Sequence, residues 1–133
     1  MVNMIQIKRI YDPAEDTDGQ RILVDRIWPR GVTKEKAQIA AWMKEITPSP
    51  SLRTWFGHRP ERFAEFKARY EAELSDETAQ ASLEKIRGWA ASGTVTLLYA
   101  AKDRQFNHAV VLKEYLEQMP SSDDDYFSKT PSI

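Results

Sequence analysis

Three short segments of the 133-residue chain gather side chains able to bind or transform a ligand. The first is Asp25-Arg26-Ile27-Trp28-Pro29-Arg30-Gly31, which sets two guanidinium groups, a carboxylate and an indole in one bend. Arginine forks grip phosphates and carboxylates bidentately, a Trp face stacks on a base or sugar, and a glycine lets backbone approach a ligand closely. The same bend also admits a structural reading, in which Asp25 pairs with Arg26 or Arg30 and Trp28 plugs the edge of the core. The second segment, Lys102-Asp103-Arg104-Gln105-Phe106-Asn107-His108, leads into a predicted helix. The free N–H groups and dipole at a helix start attract anions, and Lys102 and His108 stand beside them. Here the structural reading gives Asn107 the cap alone, lets His108 bond locally and leaves Lys102 to Arg104 solvated. The third segment, Arg53-Thr54-Trp55-Phe56-Gly57-His58-Arg59, interleaves aromatics with cations. Such interleaving can stack on bases, but Trp55 and Phe56 more commonly anchor a short helix in a core.

No glycine-rich phosphate loop, GxSxG elbow or HExxH helix occurs in the sequence. If the chain catalyses a reaction, His108 is the candidate acid or base and Asp25 its orienting partner, because imidazole titrates near neutrality. The absence of cysteine removes disulfides, thiolate zinc sites, iron–sulfur clusters and thiol nucleophiles. His58 and His108 lie far apart in the chain and make a weak metal case, so no metal and no cofactor is assigned.

Nineteen basic against twenty acidic residues leave a net charge of −1, which offers no long-range attraction for duplex nucleic acid. Binding to nucleic acid is therefore disfavoured, although a local basic patch is compatible with this balance. Apolar residues at 41% and charged residues at 29% describe a chain that folds rather than a disordered one. No segment reaches the roughly 18 apolar residues of a membrane span, and Met1 to Ile10 lacks a signal-like apolar run, so a cytoplasmic location is expected.

These segments need a scaffold, and the apolar pattern supplies one. Met4 to Tyr11 and Arg21 to Trp28 read as strands, the second with the run Ile22-Leu23-Val24 of a strand covered on both faces. The acidic stretch Asp12 to Gly19 between them reads as an exposed loop. Thr33 can cap a short helix reaching Lys36 or Gln38, and Ile39 to Ile46 suits either a strand or a short helix, with the strand favoured. Ser51 to Phe56 forms a short helix ended by Gly57, and Pro60 opens a longer one with Phe63, Phe66, Tyr70 and Leu74 as its inner stripe. A further helix spans about Asp76 to Ala91, stopped near Gly93. Thr94 to Ala101 is a buried strand, and Asn107 caps a helix to Met119 whose inner face holds Val111, Leu112, Tyr115 and Met119. The Ser-rich and Asp-rich tail from 120 to 133 is expected to be flexible, which leaves residues 1–119 as one domain. The predicted fold class is α/β, a single small domain whose central, mostly parallel sheet of about four strands is covered by helices.

The runs IKRIYDPAEDTDGQRILVDRIWPRG, WMKEITPSPSLRTWFGH and TLLYAAKDRQFNHAVVLKEYL, in this order, resemble the YeaO-like family of bacterial proteins of unknown function, domain-of-unknown-function family 488. The resemblance covers residues 4 to 118. It implies a compact α/β domain with no established activity, cofactor or substrate, and signature residues concentrated in the WPRG bend and the AAKD-to-NHA connection. Broader relatives carry cysteines around the final strand and the following helix start. Here Tyr99 and Asn107 occupy that neighbourhood while His108 is kept, so thiol chemistry does not carry over.

Ligands of open α/β sheets bind beyond the carboxyl ends of the strands. The sequence therefore predicts a pocket for a small anionic ligand, phosphate-bearing or nucleotide-like, lined by Arg26, Trp28, Arg30, Gly31, Lys102, Asn107 and His108, with Arg9 joining from the first strand. Whether that ligand is transformed is left open. A regulatory or nucleic-acid-binding module and a protein-interaction domain are the alternatives, to be separated by a concave basic cleft, a convex basic stripe or a neutral apolar patch. The sequence assigns no oligomeric state.

Overall fold

A computed structural model describes residues 4–119, so the proposed tail lies outside the described residues. Four parallel strands, β1 (Met4–Arg9), β2 (Gln20–Leu23), β3 (Ala41–Trp42) and β4 (Thr94–Tyr99), form one sheet in the order β1-β4-β2-β3. The two most apolar strands of the sequence are thus the central pair, as expected of strands covered on both faces. The α-helices are α1 (Lys34–Ala37), α2 (Pro50–Phe56), α3 (Phe63–Leu74), α4 (Glu77–Ser92) and α5 (His108–Gln118). The expected α/β class holds.

Side-chain alternation along the strands divides the interior into two unequal parts. Ile22, Val24, Val95, Leu97 and Tyr99 join a large core with residues of α2, α3, α4 and α5. Leu23 and Leu98 turn the other way, into a small cluster with Ile10 and Ala37, closed by Trp28, Val32, Ile39 and Trp42. Long helices therefore cover one face, and α1 with its flanking connections covers the other.

Thr33 caps α1 and Asn107 caps α5, their side chains accepting from the Lys36 and Val110 amides, and Gly57 ends α2 in a left-handed conformation. On α3, Phe66, Tyr70 and Leu74 are buried, Phe66 stacks on Phe56, and the Tyr70 hydroxyl donates to the Ile46 carbonyl.

Several boundaries differ from the expectation. Pairing of β2 ends at Leu23 instead of reaching Trp28, because the chain then leaves the sheet to pack on the smaller cluster. Residues 39–46 hold only the two-residue β3 and a 3-10 turn, Lys44–Ile46. Pro60 opens a 3-10 turn, Pro60–Arg62, that precedes the helix. On α5, Leu116 is fully buried while Tyr115 and Met119 pack at the margin of the core. The acidic stretch is no simple exposed loop: it contains a 3-10 turn, Asp16–Asp18, and Asp18 is only 1% exposed. Gly19, at φ +64°, explains the tight entry into β2, since a Cβ there would lie 2.1 Å from the Thr94 carbonyl oxygen.

Candidate functional site

A cavity of about 820 Å³ opens beyond the carboxyl ends of β2 and β4, on the face carrying the large core. One of its polar lining residues is Asp25, which joins four parts of the fold. The Asp25 carbonyl accepts from Trp42 Nε1 at 2.6 Å, fixing the end of β3. Its carboxylate accepts from the Ala100 amide through Oδ2 at 2.9 Å, just past β4. Its Oδ1 lies 3.0 Å from His108 Nε2, at the first turn of α5. The same Nε2 is 2.7 Å from the Val24 carbonyl oxygen. Because a carbonyl only accepts, Nε2 must carry the hydrogen, and the bare lone pair of a neutral ring then resides on Nδ1.

Asn107 sits beneath this group, fully buried, accepting from the Val110 amide and donating to the Asp103 carbonyl at 2.8 Å. Asp103 itself accepts the Gln105 and Phe106 amides, which hold its carboxyl below the usual carboxylate range. Burial pushes the Tyr99 phenol above its ordinary range, so it stays protonated behind the site.

The rim is basic. Lys102 borders the cavity from the connection after β4, and Arg53 borders it from α2. Neither makes an ion pair or a side-chain hydrogen bond among the described residues. Thr54 and His58 stand beside Arg53, while Pro48, Pro50, Phe56 and Phe66 provide the apolar wall.

The structure brings together Asp25, Lys102, Asn107 and His108 of the residues singled out in the sequence, and it separates the others. Arg26 reaches the back of the wall, donating to the Pro48 carbonyl at 3.3 Å, with its Nε buried and unbonded among the described residues. Arg9 turns onto the end of β4, donating from Nε and Nη2 to the Ala101 and Ala100 carbonyls, and lies over the Tyr11 ring. Trp28 packs edge-on against Trp42 on the opposite face of the sheet and donates to the Val32 carbonyl at 2.6 Å. Arg30 is exposed, and its carbonyl accepts from the Tyr11 hydroxyl. Gly31, at φ +78°, completes that turn and borders a separate depression of about 380 Å³ with Tyr11 and Val32. The bend is thus split between the two faces: Asp25 and Arg26 lie at or behind the cavity, whereas Trp28, Arg30 and Gly31 stabilise the other layer.

Two details of the structural readings also change. Asp25 pairs with His108 rather than with Arg26 or Arg30, and His108 bonds across the sheet rather than locally. Arg53, Thr54 and His58 belong to the segment read as a core anchor. Phe56 does anchor, but Arg53, one helical turn before it, reaches the cavity together with Thr54 and His58. The signal was present as an amphipathic turn: Leu52 and Phe56 face inward, and Arg53 and Thr54 flank them. No group of His, Asp or Glu suited to a metal ion exists among the described residues, nor does any helix long and apolar enough to cross a membrane.

Comparisons with known proteins identify relatives along most of the chain. Over 115 residues the chain is 44% identical to the uncharacterized protein YeaO of Escherichia coli, covering 86% of this chain and 98% of that one. It is 42% identical over 112 residues to the uncharacterized protein Rv3073c of Mycobacterium tuberculosis, covering 84% and 92% respectively. No solved structure matches. The family model described as "Inactive DUF488-N3 subclade" matches residues 4–133. The chain therefore belongs to the YeaO-like DUF488 family, in the branch described as the inactive DUF488-N3 subclade.

Proposed function

We propose that this protein binds a small anionic metabolite, most simply an organic phosphate, in the cavity beyond β2 and β4, and holds it without transforming it. The observation that carries this reading is the pair Lys102 and Arg53, two cations on one cavity whose charge no carboxylate among the described residues takes up. The two acids on the same cavity are held by the fold and keep their charge: Asp25 by the Ala100 amide and His108, and Asp103 by two amides on its Oδ1. An incoming anion is drawn by the two cations without internal partners and the amino end of α5. The site is concave and lies where parallel sheets receive ligands, which favours a small molecule over a polymer.

Binding without turnover is supported by the family's description as inactive. In the cavity, Asp25 and the Val24 carbonyl hold His108 through Nε2, which leaves Nδ1 as the ring nitrogen able to meet a ligand.

The test is a titration of the full chain with inorganic phosphate and phenyl phosphate, followed by thermal unfolding and calorimetry. A ligand in large excess over its Kd should raise Tm by several degrees. Lys102→Ala and Arg53→Ala should each weaken phenyl phosphate binding by roughly ten-fold while leaving the ligand-free Tm nearly unchanged, as loss of an exposed charge-assisted contact does. Equal affinity in wild type and both variants removes the anion site, and release of phenol from phenyl phosphate removes the claim of binding alone.

A further inference from the structure

The cavity presents three kinds of surface that a bare anion cannot use together: the cationic rim, the apolar wall of Phe56, Phe66 and the two prolines, and the ring of His108. The last is the most restrictive. The Val24 carbonyl fixes the hydrogen on Nε2, so the neutral ring can only accept at Nδ1. That nitrogen has no partner among the described residues, yet it is not one of the buried unbonded atoms, so it is open to solvent on a residue that lines the cavity. A ligand filling the site must give Nδ1 a hydrogen bond or leave it dry and unpaired, at a cost comparable to a lost hydrogen bond.

Resting on the anion-binding reading above, we infer that the ligand is of the nucleoside monophosphate class: a phosphate for Lys102 and Arg53, a ring for the apolar wall, and a sugar hydroxyl that donates to His108 Nδ1. His108 is then a residue that determines specificity, and Asp25 positions it. The volume of about 820 Å³ lies within the roughly 300–1,000 Å³ usual for sites of such ligands.

The experiment compares phenyl phosphate, adenosine monophosphate and dideoxyadenosine monophosphate on the full chain. Adenosine monophosphate should bind more tightly than phenyl phosphate, and removal of the sugar hydroxyls should weaken it roughly five-fold. His108→Phe, which keeps a ring and removes the acceptor, should erase the difference between the two nucleotides. A measurement on the wild type stands independently of that variant's folding. Long-range nitrogen–proton NMR should find the hydrogen on Nε2, with the Nδ1 resonance moving on addition of adenosine monophosphate and not with its dideoxy analogue. Equal affinity for the two nucleotides, or a hydrogen on Nδ1 in the free protein, overturns the inference while phenyl phosphate binding still upholds the anion site. If no phosphate compound binds, both fall together.

Discussion

Asp18 and Asp25 flank the same short strand, β2, and meet opposite fates. At the amino end of the sheet Asp18 is saturated: Arg21 Nη1 lies 2.5 Å from its Oδ2, Lys8 Nζ 3.1 Å from its Oδ1, and the Glu15 amide also donates to it. Its carbonyl accepts from Thr96 Oγ1, which in turn accepts from Gln6, so the polar chain runs under three strands. At the carboxyl end Asp25 meets one amide and one imidazole, with a cavity in front of them. A carboxylate saturated by internal cations is structural, whereas one that faces a cavity is a candidate for binding. Both are held by the fold, but Lys8 and Arg21 are paired with Asp18, whereas Lys102 and Arg53, on the cavity that Asp25 lines, have no internal partner among the described residues.

Removing the closed network should have the largest effect. Asp18→Ala leaves Arg21, itself 4% exposed, without its counter-charge, and such a loss costs about 3–5 kcal/mol. Urea unfolding should show the midpoint falling accordingly, and an unchanged midpoint would place the network's net worth near zero. Asp25→Asn should cost less, about 1 kcal/mol, because an amide oxygen can still accept from the Ala100 N–H and His108 keeps the Val24 carbonyl. A loss as large as that of Asp18→Ala would mean that Asp25 is structural in the same sense.

The smallest effect is in the pH dependence. Burial pushes the Asp18 carboxyl up, but the Glu15 amide, Lys8 and Arg21 together outweigh it and hold the group below its ordinary 3.8. A folded value depressed in this way contributes stability that is fully present above the unfolded value and is lost as pH falls through the folded one. Asp12, held down by Arg104, and Asp103, held down by the Phe106 and Gln105 amides, act in the same direction. Stability should therefore be level above about pH 5 and decline below about pH 4, and Asp18→Asn should make that decline shallower. A decline equally steep in both proteins would assign the acid sensitivity to the other carboxylates.

Much of the scaffold was legible. The apolar runs around Ile22 and Leu97 marked the central strands, the spacing of Phe66, Tyr70 and Leu74 marked α3, and Thr33 and Asn107 marked two helix starts, because each signal acts within one or two turns of chain. Part of the cavity lining was legible for the same reason, since Lys102, Asn107 and His108 belong to one strand-to-helix connection.

What the chain alone settled is its class: alternating strands and helices with two strongly apolar strands require a covered, largely parallel sheet. Only the tertiary structure decided which charges remain available. Arg9 was drawn onto carbonyls about ninety positions away, Trp28 and Arg30 were carried to the far face by the turn after β2, and Arg53 was brought to the cavity by a helix whose neighbours Leu52 and Phe56 had to be buried. Local patterns fix where a segment must be strand or helix. Whether a guanidinium finds its partner inside the fold or faces open space depends on contacts distant in sequence, which no local pattern encodes.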